Sequence, residues 1–214
     1  MNLTGKKINF LGDSITEGVG TSGPEFMFTN VIARKTGAIC RNYGISGTRI
    51  ARQYRPTVDN PRFDLDFCMR AGEMDADADI IVVFGGTNDY GHGDAPFGTF
   101  DDRTRDTFCG AMHELCQTLL TRWPEAEIVF ITPLHRSGEN NRTANYKPVL
   151  KEYVDAMRRI LEYYSIPVLD LYANGRLQPA VEVIKEKYLP DGLHPSDAGN
   201  ALLADRIIAF LSGM

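Results

Sequence analysis

Short apolar runs alternate along this chain with longer stretches of helical period. Residues 7–11, 38–42, 80–84, 128–131 and 166–169 read as strands. The run at 80–84, Ile-Ile-Val-Val-Phe, is apolar throughout, which predicts a central parallel strand covered on both faces. Residues 128–131 have the same character, and 38–42 is a weaker case. Between the strands, Phe108, Met112, Leu115 and Leu119 recur at spacings of four, three and four, the signature of one helix face. A second stripe runs through Val149 or Leu150, Val154, Met157 and Leu161. Residues 198–211 close the chain as a helix with Leu202, Ile207 and Ile208 available for burial.

This alternation predicts an α/β fold, a three-layer α/β/α sandwich around a parallel sheet of about five strands with right-handed crossovers. No repeat, low-complexity tract or linker interrupts it, so residues 1–214 are expected to form one domain. In open parallel sheets the site lies outside the carboxyl ends of the strands. The informative loops are therefore 12–24, 43–56, 85–100, 133–146 and 170–197.

Four segments in those loops carry the chemistry. Gly12-Asp13-Ser14-Ile15-Thr16-Glu17-Gly18 follows the first strand, and Asn42-Tyr43-Gly44-Ile45-Ser46-Gly47-Thr48 follows the second. Gly85-Gly86-Thr87-Asn88-Asp89 follows the third, and Asp191-Gly192-Leu193-His194-Pro195 precedes the last helix. A nucleophilic serine needs a base, and the base needs a carboxylate to orient its ring and stabilise the imidazolium. Ser14, His194 and Asp191 supply that set. Taken singly each has a bland role: Ser14 as a helix cap, Asp191 as a turn former, Ser196 or Asp197 as a cap for the last helix. The joint order and loop placement carry the reading. The serine is not in a Gly-x-Ser-x-Gly elbow, which disfavours the α/β-hydrolase fold.

The four segments, in this order, resemble the SGNH hydrolases, also called the GDSL esterase/lipase family, and the resemblance spans nearly the whole chain. It implies a flavodoxin-like SGNH fold and a serine esterase that needs no cofactor. By position it makes Ser14 the nucleophile, His194 the general base and acid, and Asp191 its orienter. It assigns the oxyanion hole to the Ser14 N–H, the Gly47 N–H and the Asn88 side-chain amide. The first block reads Gly-Asp-Ser-Ile rather than Gly-Asp-Ser-Leu, a packing change behind the serine. The family also holds lysophospholipases, thioesterases and acyltransferases. A non-catalytic carbohydrate-binding protein that keeps the fold is the alternative from another class.

Substrate-lining residues are expected at Asp13, Tyr90, His92, Phe97 and His135, with Arg49 a candidate for meeting an anionic substrate group. His113 sits in a helical stretch and reads as structural. Gly18-Val-Gly-Thr-Ser-Gly23 matches a dinucleotide-type glycine pattern, but no Asp or Glu lies between Glu25 and Asp59 to hold a ribose. The glycines read instead as a flexible lead into a helix. Residues 34–55 hold Arg34, Lys35, Arg41, Arg49, Arg52 and Arg55 without an acid, and 59–79 hold seven acids against Arg62 and Arg70. Two solvated faces are the expectation.

A net charge of −5 argues against sequence-independent nucleic-acid binding. The first apolar run is far too short for a signal-peptide core, and no stretch has the length of a membrane span. Cys40, Cys68, Cys109 and Cys116 form no CxxC pair, and no HExxH or paired-ligand spacing points to a metal. Cys109 and Cys116, seven apart, are expected to share a buried helical face. Free thiols and the missing leader together point to the cytoplasm. The expected substrate is a small-molecule or carbohydrate ester. Short acyl groups such as acetyl are favoured, because the chain has no large apolar insertion. A homo-oligomer would leave no signature in this sequence.

Overall fold

Five strands pair in parallel in the order β2-β1-β3-β4-β5: β1 (Lys7–Gly12), β2 (Ile39–Gly44), β3 (Ile80–Phe84), β4 (Glu127–Ile131) and β5 (Val168–Leu169). The computed structural model describes residues 1–142 and 147–214. The end of the loop expected at 133–146 therefore lies outside the described residues.

Strand side chains point alternately to opposite faces, and the core divides accordingly. Ile8, Phe10, Ile80, Val82, Phe84, Val129 and Ile131 pack with α2 (Phe28–Thr36) and with α9 (Asp197–Gly213), which follows the short α7 (Leu171–Asn174) and α8 (Glu182–Tyr188). Leu11, Ile81, Val83, Ile128 and Phe130 pack with α3 (Phe67–Ala71), α5 (Phe108–Arg122) and α6 (Leu150–Tyr163). This is the three-layer arrangement that alternation predicts. All of β3 is buried, as its unbroken apolar run requires. Cys109 and Cys116 share the buried face of α5.

Three details differ from the sequence reading. β2 runs two residues further, to Gly44, because its register with β1 continues as far as Gly12. β5 shrinks to Val168–Leu169: Pro167 has no N–H to give a ladder and offers only its carbonyl, to Phe130 N at 3.1 Å. On α9, Ile207 is buried as expected, but Leu203, Ala204 and Leu211 complete the buried stripe while Leu202 and Ile208 are half-buried.

The charged stretches are partly paired with each other, while Lys35 pairs with Asp205 and Arg52 with Asp106. Arg41 bridges Asp75 at 3.1 Å and Asp77 at 2.6 Å, and Arg49 pairs with Asp64 at 3.2 Å. No helix among the described residues is long and apolar enough to cross a membrane.

Candidate active site

At the carboxyl end of β1 the chain turns into α1 (Ser14–Glu17). Asp13 caps this helix by accepting from Ile15 N at 3.0 Å. Ser14 is therefore the first helical residue, where a backbone N–H has no intrahelical acceptor and stays available. Gly18, in the left-handed region at φ 98°, ends the helix after one turn.

His194 reaches this turn from the other end of the chain. Its Nε2 lies 3.0 Å from Ser14 Oγ, and its Nδ1 lies 2.6 Å from Asp191 Oδ2. The other Asp191 oxygen, Oδ1, accepts from Leu193 N at 2.8 Å and His194 N at 2.7 Å. Burial pushes the Asp191 carboxyl up, but hydrogen bonds from His194 and Leu193 outweigh it and hold it below the ordinary carboxylate value. An ionised carboxylate only accepts, so Nδ1 carries the proton and Nε2 presents its lone pair to Ser14 Oγ. This arrangement can remove the Ser14 proton as Oγ attacks a carbonyl.

Three surroundings fix the histidine. Ser196 caps α9 through Gly199 N at 3.3 Å. Buried Asn200 donates to Pro195 O at 2.8 Å and accepts from Phe28 N at 3.1 Å, tying the His-Pro turn to α2. The glycine-rich loop after α1 closes the back: a Cβ at Gly20 would lie 2.8 Å from Pro195 O and 3.1 Å from His194 Cβ. Ser22 N and Oγ donate to Asp197 at 2.8 and 2.6 Å. The segment read as a flexible lead into a helix thus braces the His194 turn.

Gly47 and Asn88 follow the carboxyl ends of β2 and β3, the two strands that pair with β1. Gly47 has φ 74°, and a Cβ there would sit 2.6 Å from the Phe63 ring, so both conformation and space require glycine. Asn88 lies in α4 (Thr87–Gly91), is 5% exposed, and donates from Nδ2 to Thr48 O at 3.0 Å. Its neighbour Asp89 accepts from Ile50 N at 3.0 Å and Ala51 N at 2.9 Å, locking the 48–51 loop to α4. Glu17 does the same for Ser46, accepting from its N at 2.7 Å and from its hydroxyl.

Behind these loops sits Arg70, which sequence spacing did not single out. It donates to Gly12 O at 3.0 Å, Tyr43 O at 2.6 Å, Leu65 O at 3.0 Å and Thr48 Oγ1 at 2.8 Å. Burial pushes the guanidinium down to about 10, with Asp13 and Asp66 opposing, so it stays charged at neutral pH. One cation thereby gathers the ends of β1 and β2 and the Thr48 turn. Asp13, also buried, goes the other way: burial raises it to about 6, against the Ile15 N–H and the His194 and Arg70 charges.

The residues expected to line substrate divide. Asp13 adjoins Ser14 but is a buried cap. Tyr90 is 2% exposed, with its hydroxyl donating to Gly138 O and Asn141 O and its ring against Tyr153, so it faces the core. Phe97 stacks on Phe108 and meets Tyr153 edge-on, above α5. Arg49 is enclosed, donating to Gly47 O at 2.8 Å and paired with Asp64, which leaves it engaged within the protein rather than free for a substrate anion. His92 keeps an exposed edge, but its nitrogens face Asn88 and Arg49. His135 lies against Tyr172, with ring centroids 4.0 Å apart and planes tilted by 35°, and its Nδ1 contacts Glu139 at 2.8 Å. His113, as expected, is structural: buried, with Nδ1 3.0 Å from the Tyr164 hydroxyl.

Near His135 a cavity of about 340 Å³ is lined by Arg136, Ser137, Glu139, Asn140, Asn141 and Gln178 among others. Ser137 N donates to Gly192 O at 2.8 Å, so this polar cavity adjoins the Asp191–His194 turn.

Comparison with known proteins agrees with this fold. No curated protein sequence matches the chain. A solved structure of a protein from Lactobacillus plantarum is 29% identical, covering 98% of both chains with a TM-score of 0.84. The lipase/acylhydrolase from Enterococcus faecalis is 22% identical, covering 97% of this chain and 96% of its own with a TM-score of 0.67. Axe2, an acetylxylan esterase from Geobacillus stearothermophilus, is 21% identical, covering 98% and 95% with a TM-score of 0.62. The last two are likenesses of fold. The profile of the GDSL-like Lipase/Acylhydrolase family matches residues 10–202, and the chain belongs to that family.

Proposed function

We propose that this acylhydrolase is a serine esterase that removes short acyl groups, acetyl above all, from a polar alcohol such as a carbohydrate. The observation that carries the reading is the unbroken line from Asp191 through His194 to Ser14, at 2.6 and 3.0 Å. Ser14 Oγ attacks the ester carbonyl while His194 Nε2 takes its proton. The carbonyl oxygen becomes an oxyanion received by the Ser14 and Gly47 N–H groups and the Asn88 amide. One such donor is worth about 3–4 kcal/mol of transition-state stabilisation. The C–O bond to the alcohol breaks as His194 protonates the leaving oxygen. Water then attacks the acyl-enzyme with His194 again as base, releasing the acid and restoring Ser14.

The polar cavity beside Gly192 supports a hydroxyl-rich alcohol. The acetylxylan esterase among the structural neighbours points the same way. We read residues 1–214 as one domain, supported by a family match that runs from 10 to 202.

The test is hydrolysis of p-nitrophenyl esters from acetyl to dodecanoyl, with the wild type and Ser14→Ala. Ser14-dependent activity that falls steeply with acyl length supports the proposal. Activity that rises with length assigns a lysophospholipase or thioesterase instead, and transfer to an added sugar in preference to water assigns an acyltransferase. Absence of Ser14-dependent turnover on every ester sinks the esterase reading and leaves the carbohydrate-binding alternative.

A further inference from the structure

A series of side chains connects the Gly47 turn to Asn88, two of the proposed oxyanion donors. Arg49 Nη1 donates to Gly47 O at 2.8 Å and lies 3.4 Å from His92 Nδ1. His92 Nε2 lies 3.2 Å from Asn88 Oδ1. Arg49 is itself anchored through Nη2 to Asp64 at 3.2 Å.

The chemistry of these groups allows only one proton arrangement. A guanidinium nitrogen donates and never accepts. His92 Nδ1 must therefore offer its lone pair to Arg49, which puts the single ring proton on Nε2. That N–H can only donate, so the Asn88 atom it meets is the oxygen. The Asn88 nitrogen is thereby turned the other way, where one of its hydrogens meets Thr48 O at 3.0 Å and the second is left for a substrate oxygen. An asparagine amide is nearly symmetric in shape, and a flipped one would present an acceptor to the oxyanion. Thr48 O, which can only accept, and the His92 N–H, which can only donate, together remove that ambiguity. Desolvation of its inner edge against Asn88 and Arg49 lowers the ring to about 4, with the charges of Arg49, Arg136 and Lys147 acting in the same direction, so the neutral form persists at neutral pH while the outer edge stays exposed.

We propose that His92 is a positioning residue that, held by Arg49, fixes the Asn88 amide with its N–H toward the developing oxyanion and couples it to the Gly47 turn. This rests on the esterase reading above.

The test is steady-state kinetics of His92→Ala and His92→Gln, alone and in an Asn88→Ala background, on the best p-nitrophenyl ester. His92→Ala is expected to lower kcat about 10- to 100-fold, the scale seen when a group that orients a functional side chain is removed, with KM within about threefold. Glutamine can accept from Arg49 and donate to Asn88, so His92→Gln should recover most of that loss. In the Asn88→Ala background the His92→Ala loss should shrink to about twofold or less, because there is no amide left to orient. His92→Met fills the space without a donor and carries the same expectation should the alanine variant not fold. A kcat within twofold of wild type for His92→Ala, or an equal loss with and without Asn88, overturns the inference. Full activity in Ser14→Ala overturns the esterase reading beneath it. Ser14-dependent activity indifferent to His92 overturns this inference alone.

Discussion

Asp13 offers a sharp stability test because its cost depends on pH in a calculable way. The side chain is 1% exposed, and burial lifts its pKa from 3.8 to about 6. A carboxyl whose folded value is raised binds more protons folded than unfolded between those two values, so it lowers stability as pH rises through that window. Ionising it in the fold costs about 1 kcal/mol at pH 4.5 and about 3 kcal/mol at pH 7.5, from the ratio of the two titration polynomials. Asp13→Asn removes the titration. Asparagine can still accept from Ile15 N, so the helix cap is retained and its contribution does not vary with pH. Urea unfolding of wild type and Asp13→Asn at both pH values isolates the effect, since groups common to the two proteins cancel. The stability of Asp13→Asn relative to wild type should improve by about 2 kcal/mol between pH 4.5 and 7.5. A difference that is the same at both pH values, or that moves the other way, refutes the reasoning that Asp13 is an ionisable group held at a desolvation cost.

Further consequences follow from the site. Asp191→Asn should leave folding intact but lower kcat on the order of 10⁴-fold, because an amide can stabilise the wrong His194 tautomer; an effect under tenfold would mean the 2.6 Å contact does not set that tautomer. Arg70→Met keeps the aliphatic stem and deletes four donated hydrogen bonds, so chemical denaturation should register a loss of about 3 kcal/mol, near the lower end for breaking a buried charge interaction. An unchanged unfolding midpoint would show that the ends of β1 and β2 hold together without it. Gly20→Ala should lower both stability and kcat, because φ 97° strains an alanine and its Cβ meets the Pro195 carbonyl beside His194; equal kcat in the variant and wild type would remove the loop from its bracing role.

Much of the fold was legible because parallel strands covered on both faces are written as unbroken apolar runs, as in Ile80–Phe84. β5 is shorter than its apolar run because Pro167 interrupts the ladder and Ile166 N bonds back to Leu161 O, so the apolar character of 166–169 alone overstates the strand. The site residues that meet in space were legible as four blocks, each at a strand end or a helix start. What sequence could not supply was how the blocks are held. Arg70 binds acceptors from residue 12 to residue 65, so no local spacing marks it. His92 reads as substrate-lining and Arg49 as a group for a substrate anion because each lies in a loop at a strand's carboxyl end, near a residue of the four blocks. Their partners, Gly47 O and Asn88, become visible only once the second and third loops converge. The glycines at 18–23 read as flexibility, whereas close backbone approach to Pro195 is the reason for at least Gly20.

The proposed reaction depends on Ser14 acting as a nucleophile activated by His194. The most direct measurement is intact-mass and peptide analysis after treatment with a fluorophosphonate, on wild type, Ser14→Ala and His194→Ala. A single adduct on the peptide carrying Ser14 in the wild type, absent from Ser14→Ala and strongly slowed in His194→Ala, is the predicted result. An adduct elsewhere, or folded wild-type protein that takes up none, would contradict it.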